Sequence, residues 1–143
     1  MADIPRRWIA VGALLGALGV ALGAFGAHWL GGFLTSMGYA GEDLQHRTAI
    51  FETAVRYQMF DAFALVLAGL LLNQRDCQCW RLAGWAFLVG TALFSGFLYA
   101  LTLVGPNLRW FGAIVPLGGV LMIVGWMALA VGALRRESSS DRL

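Results

Sequence analysis

Apolar residues run almost without interruption through four stretches of the chain: Trp8 to Leu30, about Tyr57 to Leu72, Leu82 to Val104, and Trp110 to Leu134. A helix needs about 20 residues to cross a hydrocarbon core, and all but the second stretch exceed that. The second contains Asp61 and reaches spanning length only if it starts near Thr53. Runs this long lack the alternation of barrel strands, and backbone groups in lipid must pair within their own element, so the pattern predicts helices. The expected fold is all-α: one membrane domain over residues 1–143, a four-helix bundle with spans about 8–30, 53–73, 82–104 and 110–134. A segment at 31–52 carries an external loop and a helix start, and 138–143 is a short polar, frayed tail.

Within the first span Gly12, Gly16, Gly19, Gly23 and Gly26 repeat at four, three, four, three and share one helix face. Between helices in lipid such a face removes side-chain bulk and lets two backbones approach. Gly118, Gly125 and Gly132, seven apart in the fourth span, offer a second small-residue face. The first run also imitates a cleavable signal, but its apolar stretch is long for one and cleavage would discard the glycine face, so retention as a span is expected. Gly31 to Gly41 reads as an irregular loop, and a helix starts at Glu42 or Asp43. Leu44, Phe51, Val55, Met59 and Ala62 fall along one side of it, so it runs unbroken into the second span or bends as an interfacial helix.

With 59% hydrophobic and 13% charged residues, the composition has too little polar surface for a soluble domain and agrees with the helix reading. The cations are all arginine. Arg6, Arg7, Arg75, Arg81, Arg135, Arg136 and Arg142 flank one side of the spans, against Arg47, Arg56 and Arg109 on the other. The positive-inside tendency then puts both termini in the cytoplasm, in the plasma (inner) membrane if the chain is bacterial. Trp8, Trp80 and Trp110 near the run ends suit an aromatic belt or packing. A net charge of +2 spread over loops excludes nucleic acid as a partner. Cys77 and Cys79, one residue apart with no nearby histidine, are expected as free thiols, and no metal or cofactor site is expected.

Polar groups gather toward the outward end. His28 closes the first span, where the alternative is a solvated interfacial histidine beside Trp29. Glu52 and Arg56 stand four apart in the favourable order for an interfacial ion pair. Asp61 is about 140° round the helix from Arg56, with Tyr57 its natural neighbour. An unpaired aspartate at membrane depth costs about 2.5–3.5 kcal/mol, so it either handles a proton or ligand or locks helices through a hydrogen bond. Thr91, Ser95, Tyr99 and Thr102 form a facing stripe, and Pro116 inside the fourth span would leave the Gly112 carbonyl free. His28, Tyr57, Asp61, Ser95, Tyr99 and Pro116 make up the candidate pocket.

The blocks Gly23 to His28, Phe51 to Met59, Phe94 to Tyr99 and Pro116 to Gly119 resemble, in this order, the small membrane proteins grouped as domain of unknown function 423, which include the transmembrane protein 256-like group. The resemblance implies a four-helix membrane protein and carries no activity with it. Asp61 departs from the pattern, which places histidine there, and Phe97 stands where serine is frequent. Either acid or histidine titrates, whereas metal or haem ligation would not survive the exchange. Three function classes follow. The leading one is a structural or accessory subunit that associates with another membrane protein or itself through small-residue faces. The second is a small transporter or proton-handling protein around Asp61, with its ligand open. The third, an enzyme, is disfavoured, because no nucleophile stands with a base.

Overall fold

The computed structural model describes residues 3–104 and 112–135. Five helices follow one another: α1 (Asp3–His28), α2 (Leu30–Ser36), α3 (Gly41–Gln74), α4 (Gln78–Leu103) and α5 (Val115–Leu134). All but α2 are long and apolar enough to cross a membrane, in accord with the all-α four-span reading. The predicted start of the fourth span at Trp110 and the polar tail at 138–143 lie outside the described residues.

Helices α3 and α4 form the central pair; α1 packs on α3, α5 packs on α4, and α5 meets α3 over a short stretch only. The seams keep the four-three spacing. On α3 the buried residues Arg47, Phe51, Ala54, Gln58, Asp61, Leu65, Ala68 and Leu72 recur at four and three throughout. That 3.5-residue repeat is the one that wraps helices in a left-handed sense. The stripe at Val55, Met59 and Ala62 lies on a neighbouring face of α3 and receives the glycines of α1. A Cβ built at Gly12 would stand 2.7 Å from the Ala62 carbonyl oxygen, one at Gly19 2.6 Å from Met59 Sδ, and one at Gly26 3.1 Å from the Phe51 ring. Gly16 and Gly23 leave ordinary contact distances, 3.9 Å to Ala62 and 3.6 Å to Val55.

The second glycine face is used inside the chain, which corrects its reading as a surface for association. Gly118 lies against the Phe94 backbone, Gly125 against the Phe87 ring and Gly132 against the Trp80 indole, all on α4. Trp8 and Trp80 are buried packing residues, not belt residues, and Trp8 reaches α4 edge-on to Trp85 at 5.0 Å.

Two local expectations change. Residues 30–36 form a helix where a loop was expected, because Leu30 and Leu34, four apart, are fully buried with Phe51. Gly38 at φ +91° and Gly41 at φ +58° then turn the chain into α3, backbone conformations that favour glycine. α3 runs unbroken for 34 residues, about 51 Å at 1.5 Å per residue, so its first turns project beyond a 30 Å core. Pro116 begins α5, with Ile114 as its N-cap, instead of interrupting a helix. Proline is accepted in a first turn because its missing N–H would have no helical partner there, so no Gly112 carbonyl is freed in mid-span.

The α1–α3 contact yields a graded prediction. Gly12→Ala should destabilise by about 1–3 kcal/mol, since its methyl meets backbone that cannot rotate away, whereas Gly16→Ala should leave stability unchanged or raised. Thermal unfolding of the purified variants in one detergent measures both, and equal melting temperatures would contradict the seam.

Candidate functional site

The polar residues of the seam stripe face α4 near the middle of the helices. Asp61 is 1% exposed, and its Oδ2 lies 2.7 Å from Thr91 Oγ1, which also lies 2.8 Å from the Phe87 carbonyl oxygen. Thr91 is the fourteenth residue of the 26 in α4, so Asp61 sits deeper than the outer end at which the sequence put it. One turn along, Gln58 bridges three helices. Its Nε2 donates to the Leu15 carbonyl at 2.8 Å on α1, and its Oε1 accepts from the Tyr99 hydroxyl at 2.8 Å on α4. Ser95, 1% exposed, has no hydrogen-bond partner for its hydroxyl.

Grooves flank this seam on both sides. The one on the α5 side has a volume of about 570 Å³ and is lined by Tyr57, Phe60, Asp61, Phe94, Pro116 and Trp126 among others. Its walls are nearly all apolar, and the Tyr57 ring lies tilted against Phe94 with centroids 4.8 Å apart. The groove on the α1 side, about 200 Å³, is lined by Gln58, Thr91, Ser95 and Tyr99 between Leu15 and Leu18 of α1 and Gly96 of α4. The Asp61–Thr91 contact therefore crosses from one groove to the other.

Of the candidate residues, Tyr57, Asp61 and Pro116 meet in the α5-side groove, and Ser95 and Tyr99 in the α1-side groove. His28 is exposed at the end of α1 beside Trp29, centroids 5.8 Å apart, and lines neither. Glu52 and Arg56 are both exposed and make no ion pair, their charges being free to remain solvated. The ion pairs among the described residues are Arg47 with Asp43 at 3.3 Å and Arg81 with Asp76 at 2.9 Å.

Two arginines counted in the sequence only as topology signals hold helix ends. Arg47, 7% exposed, donates from Nη1 to the carbonyls of Leu101, Thr102 and Val104 at 3.2, 2.8 and 3.1 Å, with Tyr39 stacked 3.7 Å from its guanidinium. Arg75 donates to the carbonyls of Gly132 and Arg135 at 2.8 and 3.1 Å beneath the Trp80 ring. Each places a cation on the negative end of a neighbouring helix and satisfies its orphan carbonyls. The signal for Arg47 and Gln58 was available in the four-three register they share with Leu65 and Leu72.

A family model described as a protein of unknown function, DUF423, matches residues 22–119, which take in Gln58, Asp61, Thr91, Ser95 and Tyr99 but not Leu15. A UPF0382 membrane protein of Staphylococcus epidermidis is 38% identical over 130 residues, 91% of this chain and 97% of its own. One of Haemophilus influenzae is 38% identical over 136 residues, 94% and 99% of the two chains. The Bacillus subtilis UPF0382 membrane protein YwdK is 36% identical over 131 residues, 91% and 98%. No solved structure matches the chain.

Tyr99→Phe should cost about 1 kcal/mol by stranding Gln58 Oε1, and Gln58→Leu with Tyr99→Phe should recover part of that loss. A double-mutant cycle on unfolding in detergent checks it; strict additivity would rule out the bridge.

Proposed function

We propose, for a chain that belongs to the DUF423 family, that it is a small multi-pass membrane protein that takes up and releases a proton at Asp61. The observation that carries this reading is a carboxyl 1% exposed at mid-helix with a single hydroxyl for a partner. Ionisable residues at such depth mark ion and proton pathways. Thr91 carries one hydroxyl proton, and it stands within hydrogen-bond distance of two acceptors, Asp61 Oδ2 and the Phe87 carbonyl. An ionised Asp61 accepts from Thr91 Oγ1 in competition with the Phe87 carbonyl, and a protonated Asp61 can instead donate to Thr91 Oγ1, so the contact accommodates both states of the acid. The α5-side groove gives the carboxyl a route to the surface, and Thr91 hands it to the α1-side groove. Nothing in this role calls for an enzyme's nucleophile.

An accessory or self-associating subunit is the second reading. It is favoured by the outer face of α1, where Leu14, Leu18 and Val20 are exposed, while α1 packs on α3 alone along most of its length. With both glycine faces occupied within the chain, association would use these larger side chains or the apolar face of α5, and lipid covers them otherwise.

The arginine bias supports a cytoplasmic α3–α4 loop and cytoplasmic termini. Cys77 in that loop is a free thiol. Burial raises its pKa, but backbone hydrogen bonds at Trp80 and Cys79, the Cys79 thiol and Arg75 together outweigh this and hold it below the usual thiol range. A lowered pKa means more thiolate at neutral pH and ready reaction with maleimide.

Two outcomes are expected. In proteoliposomes loaded with a pH-sensitive dye, a potassium diffusion potential should drive proton entry through the wild-type chain. Asp61→Asn should lower that rate at least tenfold without loss of helicity, and wild-type flux no greater than in empty liposomes would overturn the reading. In intact cells a membrane-impermeant maleimide should leave Cys77 unlabelled until the membrane is opened; labelling before that would invert the topology.

A further inference from the structure

From the donors left over in the α1-side groove, we infer that it binds the carbonyl group of an uncharged, lipophilic molecule drawn from the bilayer. The Tyr99 hydroxyl is committed to Gln58 Oε1, and the single Thr91 hydroxyl proton is taken up between Asp61 Oδ2 and the Phe87 carbonyl. Two donors remain. Ser95 lies on α4 with a hydroxyl that reaches no acceptor, although Thr91 and Thr102 on the same helix bond to the carbonyls four residues back. The Gln58 amide spends one N–H on Leu15 and has a second.

Both residues line the same groove, and the Ser95 hydroxyl lies buried in its wall. A buried hydroxyl without an acceptor is costly, and an entering acceptor removes that cost. No arginine or histidine lines the groove, so its chemistry suits a neutral carbonyl and not a carboxylate or phosphate. Its volume, about 200 Å³, is below the roughly 300 Å³ of the smaller drug-sized pockets, so it admits a head of about one ring. The tail leaves between Leu18 and Gly96, both exposed, into the surrounding acyl chains. Gly96 has nothing within 4 Å of an added Cβ, so the mouth is open there. The inference rests on Ser95 and Gln58 and stands apart from the proton reading of Asp61.

The test uses the full chain in nanodiscs of saturated phosphatidylcholine, with decyl-1,4-benzoquinone as probe and decylcyclohexane as its carbonyl-free counterpart, titrated calorimetrically against empty nanodiscs. The quinone should bind saturably at one equivalent, and the hydrocarbon at least tenfold more weakly. Ser95→Ala should weaken the quinone about tenfold, in line with one lost hydrogen bond, without lowering the melting temperature. Gly96→Leu should abolish binding while the protein still folds, because its Cβ meets nothing within 4 Å and the rest of the side chain extends over the mouth. Equal binding of the two probes, no saturable binding of either, or wild-type affinity in Gly96→Leu would overturn the proposal. A melting temperature lowered by Ser95→Ala would assign the hydroxyl a structural bond and overturn it too.

Discussion

In hydrocarbon a polar group has no water to fall back on, and a buried donor or acceptor that the protein does not satisfy is costly. This constraint organises the parts of the molecule that glycine packing alone would leave undetermined. Arg47 and Arg75 each reach from one helix to the terminal carbonyls of another, which fixes α4 against α3 at one end and α5 against the α3–α4 turn at the other. Thr48, Thr53, Thr91 and Thr102 return their hydroxyls to the carbonyl four residues back. Gln58 spends both ends of its amide on different helices. The row of helices is thus clamped at its ends by charge and in its middle by one amide.

Glycine supplies the approach that makes these bonds reachable. Gln58 meets the Leu15 carbonyl only because Gly12 and Gly19 on either side of it bring α1 onto α3, with room for no Cβ at Ala62 or Met59. On the other flank Gly118, Gly125 and Gly132 admit Phe94, Phe87 and Trp80 of α4. Aromatic rings fill the space beside Gly125 and Gly132, whereas Gly118 and Gly12 let the backbones at Phe94 and Ala62 approach.

Elements set by many residues were legible in the sequence, and those set by a few three-dimensional contacts were not. Four spans, an unbroken α3, the glycine face of α1 and the Thr91–Ser95 stripe each follow from repeated spacing over several turns. Pro116 was misplaced because proline is compatible with both a kink and a first turn, and only the observed start of α5 at Val115 decides between them. The helix at 30–36 was missed because Gly31 and Gly32 obscure an apolar pair that is buried only once Phe51 arrives from α3. Arg47 counted only as an outward-side cation because its three carbonyl partners are more than fifty residues away. Glu52 and Arg56 had the spacing of an ion pair, yet spacing alone gives exposed partners little reason to meet.

Magnitudes separate Asp61 from its neighbours on the same stripe. A hydrogen bond between helices in lipid returns about 0.6 kcal/mol on average and about 1.7 at most. Placing an aspartate at the centre of a span costs about 2.5–3.5 kcal/mol. Gln58 carries no charge and makes two bonds, so it closes that gap as a structural clamp. Asp61 makes one, to a hydroxyl already claimed by its own helix. Ala54 and Ala68, seven residues to either side, occupy the equivalent positions of the repeat and pack with no such deficit, so cohesion alone would place an apolar side chain at 61. The carboxyl is retained against the packing interest of the seam, at the one point where the α5-side groove reaches it. The proposed exchange of a proton through that groove would account for a group held at net cost beside it.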